Sequence, residues 1–403
     1  MTAGAATGSA TVPAAGPDAD PSGWSGTRSP LAVRPVGAAL LALAVVLTVT
    51  SGGYGYFRDE LYFRMLPPQW GYVDQPPFTP WLVRAMSTLA DEVWAVRIPA
   101  TLAALGAVLL VALLAREVGG GARAQALAAW GYGFAAVPIA FGHTAITAGW
   151  DIVAWLAIVL LAVRAVLRDE PRCWLAVGVV TGAATWNKLL VPLLLDSLAV
   201  GVGVCGPRRL PWRHLIGGAV AALVIAAPQV AYQVVNGWSQ LSMAGALRAQ
   251  SGSSNRLLLL PFLVVLLGPV LVPVWVAGLV GLLRRPAWRR LRFVAVAFPV
   301  AVLLTAVTAG SPYYVLGLLA AVFAVGCVPA VEWMTARPGT RRARAAVGAV
   351  VANAVVSAVV GLPLLPVGLV GSTPVLAANV GAPGRSAGRS TPHRSRRPTA
   401  RCR

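Results

Sequence analysis

The chain has 403 residues, of which 57% are hydrophobic and only 11% charged, and its mean hydropathy is +0.72. Soluble domains carry about a quarter charged residues, so this composition excludes an ordinary soluble protein. The formal net charge of +20 would suit nucleic acid, but the arginines form short clusters between apolar runs, which is typical of loops that flank membrane spans. We therefore predict an all-α membrane protein that does not bind nucleic acid.

The first 34 residues are rich in Ala, Gly, Ser, Thr and Pro, which predicts a disordered N-terminal tail. A multi-span membrane domain follows over residues 35–371, because apolar runs there approach the roughly 20 residues that a helix needs to cross a bilayer. The fifth and sixth spans could also be one long segment broken around Asn187 and Lys188. About eleven spans are predicted, at 35–51, 95–115, 124–142, 149–166, 173–187, 190–205, 214–233, 257–283, 291–309, 313–334 and 346–370.

The basic residues predict the orientation of these spans. Nineteen arginines fall at the N-terminus and in one set of alternate loops. The positive-inside rule places that set in the cytoplasm, so the N-terminus is cytoplasmic and the long first loop, residues 52–94, is extracytoplasmic. The opposite loops hold seven basic residues, namely Arg58, Arg64, Arg84, Arg97, Lys188, Arg248 and Arg256.

The first loop is rich in aromatic, acidic and proline residues, in the stretch "YGYFRDELYFRMLPPQWGYVDQPP" at positions 54–77. The segment "DELYFRML" predicts a short amphipathic helix at the membrane interface. Pro76 and Pro77 predict an extended or turning backbone at Gln75. Two interpretations stay open: a loop held by aromatic anchors, or a loop folded over a membrane-facing cavity into which Asp59, Glu60 and Asp74 point.

Two charged residues stand at the predicted outer ends of later spans. Asp151 begins the fourth span, where a carboxylate is stabilised by the helix dipole or serves as a functional acid. Lys188 is the only lysine of the chain. It either extends towards the interface from an apolar helix or binds an anionic group such as a phosphate.

Further polar and aromatic residues share that predicted boundary. Arg248 and Arg256 are either solvated loop charges or the flanks of an anionic headgroup, and Tyr313 and Tyr314 are either interfacial anchors or ligand contacts. A transporter concentrates polar groups near the midplane, often in two repeated halves, and no such repeat is found in the sequence.

Six motifs, in this order, carry a resemblance to a known family: "FRDELYF", "WGYVDQPP", "TAGWDIVAW", "TWNKLLV", "APQVAYQVVNGW" and "SPYYVLGLL". They resemble the bacterial protein O-mannosyltransferase-like family of the glycosyltransferase C superfamily, whose relatives include the aminoarabinose transferases. The resemblance covers roughly residues 35–370. It implies an enzyme that takes a sugar from a polyprenyl-phosphate carrier and transfers it, usually with inversion, to a hydroxyl on the outer face.

The resemblance also implies roles for individual residues. Asp59 matches the catalytic base, Glu60 its usual neighbour and Asp74 a second acid of the first loop. Two positions depart from relatives, since Gln75 stands where some carry a lysine and Ser311 where many carry a basic residue. The remaining expectations are donor phosphate binding by Lys188, Arg248 and Arg256, and substrate binding by Asp151, Gln75, Tyr313 and Tyr314.

The resulting hypothesis is a glycosyltransferase of the cell membrane with its active site on the extracytoplasmic side. Mannose is the default sugar, and the acceptor is a protein, lipid or glycan. No cofactor is implied, although Asp59, Glu60 and Asp74 could hold a divalent metal ion. The alternatives are a transporter or lipid flippase, or an inactive scaffold. The basic segment at 372–403 is interpreted either as a disordered tail or as the product of a shifted reading frame.

Overall fold

The computed structural model describes residues 28–337 and 341–366, and within those ranges it contains fifteen α-helices and no strands. Eight helices are long and apolar enough to cross a membrane, and a bent pair makes a ninth span. Three shorter apolar helices accompany them. The prediction of an all-α, multi-pass membrane protein is therefore confirmed. The predicted C-terminal segment 372–403 and residues 1–27 of the N-terminal tail lie outside the described residues.

The helices are numbered in chain order. Short 3-10 helices cover Pro269–Leu271, Pro286–Leu291 and Pro312–Val315. The α-helices are α1 Val33–Thr50, α2 Arg58–Met65, α3 Phe78–Leu89, α4 Val93–Glu117, α5 Ala122–Gly133, α6 Ala136–Gly142, α7 Thr147–Leu167, α8 Cys173–Ala184, α9 Val191–Cys205, α10 Trp212–Val235, α11 Ser239–Leu267, α12 Val272–Arg284, α13 Arg292–Thr308, α14 Leu316–Thr335 and α15 Arg341–Gly361.

Each predicted span overlaps a helix or a pair of helices within the described residues, but α11 begins at Ser239, so the predicted outer loop that carries Arg248 and Arg256 is helical from residue 239 onward. The third span is the bent pair α5 and α6, which meet at 64°. The eighth is broken at Gly268, whose φ of 95° ends α11 before α12 begins. The uncertain fifth and sixth spans are two separate helices, because α8 packs on α7 and α10 whereas α9 packs on α13.

The centre of the bundle is formed by α14, which contacts α4, α5 and α7. Its residues from Leu316 to Cys327 are all buried. Helices in lipid gain little from the hydrophobic effect against one another, so small residues that permit close backbone approach become important. Gly278 of α12 lies directly against Gly326 of α14, and Gly178 of α8 lies against Gly218 of α10.

One end of the bundle, here called the arginine end, is organised around the buried carboxylate of Glu117. Arg28 and Arg168 donate to its Oε1 at 3.1 and 2.8 Å, and Arg164 donates to its Oε2 at 3.3 Å. The bond from Arg28 holds the chain segment before α1 against the bundle. The packed part of the protein therefore begins earlier than the predicted boundary at residue 34.

The opposite end, here called the loop end, carries residues 51–92 with the short helices α2 and α3. The helix predicted from "DELYFRML" is present as α2. Pro77 is the N-cap of α3 and the backbone just before it is irregular, as the two prolines predict.

Candidate active site

Helix α2 presents the first predicted acid, Asp59, near its N-terminus. The backbone N–H of Phe57 donates to Glu60 Oε2 at 2.7 Å, which closes the first turn of the helix. Carboxylates in this turn also interact favourably with the helix dipole. The Asp59 side chain is 31% exposed, and it forms an ion pair with Arg58, whose Nε lies 2.9 Å away. Asp59 is therefore accessible while its helix is fixed.

Glu60 is fully buried and has a different environment. Arg97 of α4 forms a fork on it, with Nε 3.0 Å from Oε1 and an Nη 3.1 Å from Oε2, and Ala145 N–H adds a bond to Oε1 at 2.9 Å. Because both oxygens are engaged, Glu60 acts as an anchor of α2. The sequence assigned it to the catalytic group, and its geometry supports a positioning role.

Arg97 also holds the start of the first loop. It donates to the carbonyls of Ser51, Gly53 and Gly55 at 2.6, 3.2 and 2.7 Å. Its side chain is only 3% exposed. Arg97 is predicted from the sequence only as a loop charge, although an arginine inside an apolar run is a functional candidate by default.

Asp74 lies close to α2 in a half-buried position. Tyr62 donates its hydroxyl to Asp74 Oδ1 at 3.1 Å. Burial raises the pKa of Asp74, its hydrogen bonds to the backbone and to Tyr62 oppose that rise, and the negative charge of Asp59 adds to it. The structure thus brings the two predicted first-loop acids within electrostatic reach of each other.

The segment after Asp74 joins the first loop to the break between α8 and α9. Phe78 N–H donates to the carbonyl of Trp186 at 3.0 Å, and Thr79 Oγ1 donates to Asn187 Oδ1 at 2.6 Å. Asn187 in turn donates to the carbonyl of Thr147 at 2.8 Å. Three motifs that are distant in sequence, "DQPP", "TWNK" and "TAGWD", therefore meet at the loop end.

Lys188 follows Asn187 and lies in an aromatic cage. Its Nζ is 3.4 Å from the hydroxyl of Tyr313, and it lies 4.5 Å from the ring centroid of Tyr314. Cation–π contacts of this kind stabilise an ammonium group away from bulk water. Asp151 is 6% exposed, interacts electrostatically with Lys188, and has an Oδ1 without a hydrogen-bond partner among the described residues. The predicted residues of α7, the α8–α9 break and the "PYY" motif thus form one cluster.

Three further predicted residues, Arg256, Arg248 and Gln75, have other environments. Arg256 donates to the carbonyls of Ala306 and Val307 at 3.0 and 3.4 Å, so it caps the C-terminus of α13. Arg248 is exposed on α11. Gln75 lies in the turn after Asp74, and its Nε2 is buried without a hydrogen-bond partner in the described chain.

The described residues do not provide a set of metal ligands. Between positions 28 and 337 and in 341–366, no group of three His, Cys, Asp or Glu side chains lies close enough to hold an ion. Two of the first-loop acids that the sequence suggests as metal ligands already form ion pairs. Glu60 pairs with Arg97, and Asp59 pairs with Arg58.

Part of the sequence matches a known protein family. Residues 74–232 match the model of the family described as dolichyl-phosphate-mannose-protein mannosyltransferase. That segment contains Asp74, Asp151 and Lys188. No curated protein matches the sequence.

Two solved structures show the same fold. ArnT from Cupriavidus metallidurans, bound to undecaprenyl phosphate, is 18% identical, with 87% of this chain and 74% of that chain aligned at a TM-score of 0.55. The oligosaccharyltransferase AglB from Archaeoglobus fulgidus, in complex with an inhibitory peptide and a dolichol-phosphate, is 13% identical, with 80% of this chain and 55% of that chain aligned at a TM-score of 0.50. The chain therefore spans about three quarters of ArnT and about half of AglB.

The fold is shared across nearly the whole described chain, and the family match contains three of the clustered residues. The chain therefore shares the fold of ArnT and AglB, and its residues 74–232 resemble the dolichyl-phosphate-mannose-protein mannosyltransferase family.

Proposed function

We propose that the protein transfers a sugar, with mannose as the default, from a polyprenyl-phosphate carrier to an acceptor hydroxyl, and that Asp59 is the general base. The observation that supports this most is the convergence of the first loop on Lys188. The contacts of Phe78 and Thr79 with residues 186–187 hold the segment that follows Asp74 against the chain that leads to the caged ammonium group. A base and a cation are thereby presented at the same end of the bundle.

The two groups suit the two halves of the reaction. A hydroxyl becomes an effective nucleophile when a carboxylate accepts its proton as attack proceeds. The new bond forms from the acceptor oxygen to the anomeric carbon while the bond from that carbon to the phosphate oxygen breaks. Lys188 stabilises the negative charge that develops on the departing polyprenyl phosphate. Attack from the face opposite the phosphate inverts the anomeric centre.

The orientation of the chain supports an extracytoplasmic site in the cell membrane. The clustered acids lie at the loop end, whereas Arg28, Arg164 and Arg168 gather around Glu117 at the opposite end. The positive-inside rule assigns the arginine end to the cytoplasm. A donor with a long lipid tail reaches the loop end from within the bilayer, and its acceptor, a protein, lipid or glycan, arrives from outside.

The proposed donor site is tested by binding and transfer with purified protein. We expect the wild-type protein to bind a short-chain polyprenyl phosphate and to transfer sugar from at least one member of a radiolabelled panel of polyprenyl-phosphate sugars. Lys188→Gln should weaken binding of the phosphate about 10- to 100-fold, because a charge-assisted contact is lost. Arg84→Gln, which removes an exposed cation at the same end, is the control. Equal binding by Lys188→Gln and wild type would exclude Lys188 as the phosphate ligand.

The bond between Tyr62 and Asp74 predicts a shift in pH dependence. Burial raises the pKa of Asp74, and the Tyr62 hydroxyl limits that rise. In Tyr62→Phe the pKa of Asp74 should therefore rise further. If transfer needs the carboxylate form of Asp74, activity is lost as pH falls through that pKa, so the acid limb of kcat/KM moves to higher pH in the variant. An unchanged acid limb would show that protonation of Asp74 does not control kcat/KM.

A further inference from the structure

A group of polar side chains at the junction of α10 and α11 is not used by the proposed reaction. Gln229 donates from Nε2 to the carbonyl of Trp70 at 2.8 Å, and Gln240 donates from Nε2 to the carbonyl of Tyr72 at 3.4 Å. The group therefore packs on the first-loop segment that leads to Asp74. We call it the amide cluster, and its members are Gln229, Gln233, Ser239 and Gln240.

The backbone of the junction is arranged to form this cluster. Gly237 and Trp238 both have left-handed conformations, with φ of 62° and 58°. Such a conformation is unfavourable for a tryptophan and is typical of functional sites, where the surroundings impose it. The resulting turn brings the N–H of Gln240 to Gln233 Oε1 at 3.2 Å. Two consecutive helices thus present their polar side chains to one place.

Several atoms of the cluster lack hydrogen-bond partners within the described chain. Gln229 and Gln233 are each 1% exposed. Each uses one end of its amide, which leaves Gln229 Oε1, Gln233 Nε2 and Ser239 Oγ unpaired. Nearly all buried polar groups in native proteins are paired with protein or water. One acceptor, one donor and one hydroxyl left open at the same junction indicate a ligand with groups that both donate and accept.

The loop segment that the amide cluster contacts also carries an aromatic surface. Trp70, whose carbonyl is held by Gln229, is 66% exposed, and its ring makes edge contacts with Trp81 at 5.8 Å and Trp186 at 5.9 Å. Gly71 lets the loop approach closely, because a Cβ there would meet the ring of Tyr232. A sugar ring combines an apolar C–H face with hydroxyls that donate and accept. An exposed indole on the loop segment whose carbonyl groups are bound by Gln229 and Gln240 matches both properties.

We propose that the amide cluster and Trp70 form a subsite for a sugar ring with free hydroxyls. The sugar is carried either by the lipid-linked donor or by a glycan acceptor. Its position on residues 70–72, immediately before Asp74, brings the ring to the proposed catalytic acids. The inference rests on the proposed function for its biological context, but binding of a sugar at this place does not itself require transfer.

Two substitutions remove open atoms while the internal bonds are kept. Ser239→Ala removes an unpaired hydroxyl, a change that is nearly neutral for folding when the group has no protein partner. Gln233→Glu retains an oxygen for the N–H of Gln240 and replaces the Nε2 donor by a second carboxyl oxygen; its Tm is measured beside binding, because an unpaired carboxylate in this buried position is destabilising. Ser242→Ala, on the exposed side of the same helix, is the matched control.

The probe is a panel of methyl glycosides, and binding is followed by quenching of tryptophan fluorescence. We expect saturable binding by the wild-type protein, about fivefold weaker binding by Ser239→Ala and by Gln233→Glu, and no change in Ser242→Ala, since each lost hydrogen bond has an effect of this size. Binding of polyprenyl phosphate, which has no sugar, should be equal in all four proteins. Absence of glycoside binding by the wild type, or equal weakening of polyprenyl phosphate binding by the variants, would overturn the subsite.

Kinetics then separate the two sources of the sugar. If the donor supplies it, the variants raise KM for the polyprenyl-phosphate sugar and leave KM for the acceptor unchanged, and the reverse holds for a glycan acceptor. A serine-containing peptide is tested as a competitor. If it displaces the glycoside and binds more weakly to the same variants, the subsite binds peptide and its assignment to a sugar is overturned. Glycoside binding without any transfer would contradict the proposed function and leave the subsite standing.

Discussion

Asp59→Asn is expected to abolish sugar transfer without loss of the fold or of donor binding. The amide cannot accept the proton of the acceptor hydroxyl, and removal of a general base typically lowers kcat about 10²- to 10⁴-fold. The side chain is 31% exposed and, among the described residues, pairs with Arg58, which is 81% exposed. Exposed pairs of this kind stabilise a protein by about 0–1 kcal/mol, so the variant should remain folded. Transfer from the panel of donors and binding of polyprenyl phosphate are measured in parallel.

A matched control is available in the same loop. Asp91 is 78% exposed and pairs with Arg64 in the last turn of α2, so Asp91→Asn makes the same chemical change at the end of the helix opposite to Asp59. Its transfer rate should equal that of the wild type. Retained transfer by Asp59→Asn, together with loss in Asp74→Asn, would move the role of base to Asp74. Loss of polyprenyl phosphate binding in Asp59→Asn would show that Asp59 contributes to the donor site.

The membrane helices could be predicted because each one is specified by its own apolar run. A run of about 20 apolar residues specifies a membrane helix without reference to the rest of the chain. The same holds for α2, where Asp59 and Glu60 follow an aromatic N-cap and mark the first helical turn. The break between α8 and α9 is only an open alternative in the sequence, and the break at Gly268 within the predicted span 257–283 is not predicted, because both depend on packing partners.

The candidate site was predictable only as a set of separate motifs. Its geometry rests on bonds between distant positions, such as Arg97 to Glu60 across 37 positions and Gln229 to Trp70 across 159. Charge counting placed Arg97 in a loop, and Gln229 lies in the motif "APQVAYQVVNGW", which assigns it no role. The resemblance indicated Asp59 and Lys188, and the structure adds the hydrogen bond between Thr79, at the start of α3, and Asn187, the neighbour of Lys188.

These connections explain why Glu60, the carboxylate next to the proposed base Asp59, is buried. Glu60 and Asp59 are adjacent on one short helix, and an eight-residue helix is not stable by itself. The fork between Glu60 and Arg97 fixes α2 to α4, and the carbonyls of Ser51, Gly53 and Gly55 fix the loop entrance to the same guanidinium. Asp59 can therefore be both exposed to substrate and held in one orientation.

Glu60→Gln is expected to destabilise the protein strongly, because it leaves the charge of Arg97 buried without a counter-charge. Breaking a buried pair in this way typically costs about 3–5 kcal/mol, and thermal unfolding in detergent should show a large fall in Tm. Arg97→Lys keeps the charge but replaces a five-donor fork by a single ammonium group, so it should lower both Tm and transfer to a smaller extent. Tm and initial transfer rate are measured on the same preparations.

The exposed pair between Arg285 and Glu332 provides the control for this prediction. It has a comparable hydrogen bond, at 3.0 Å, but the Glu332 side chain is 56% exposed. Glu332→Gln should therefore change stability by no more than about 1 kcal/mol and leave transfer unaffected. If Glu60→Gln and Glu332→Gln had equal, small effects on Tm, the guanidinium of Arg97 would not be the anchor of the first loop. If Glu60→Gln lost stability but retained full transfer per folded molecule, the orientation of Asp59 would not depend on this bond.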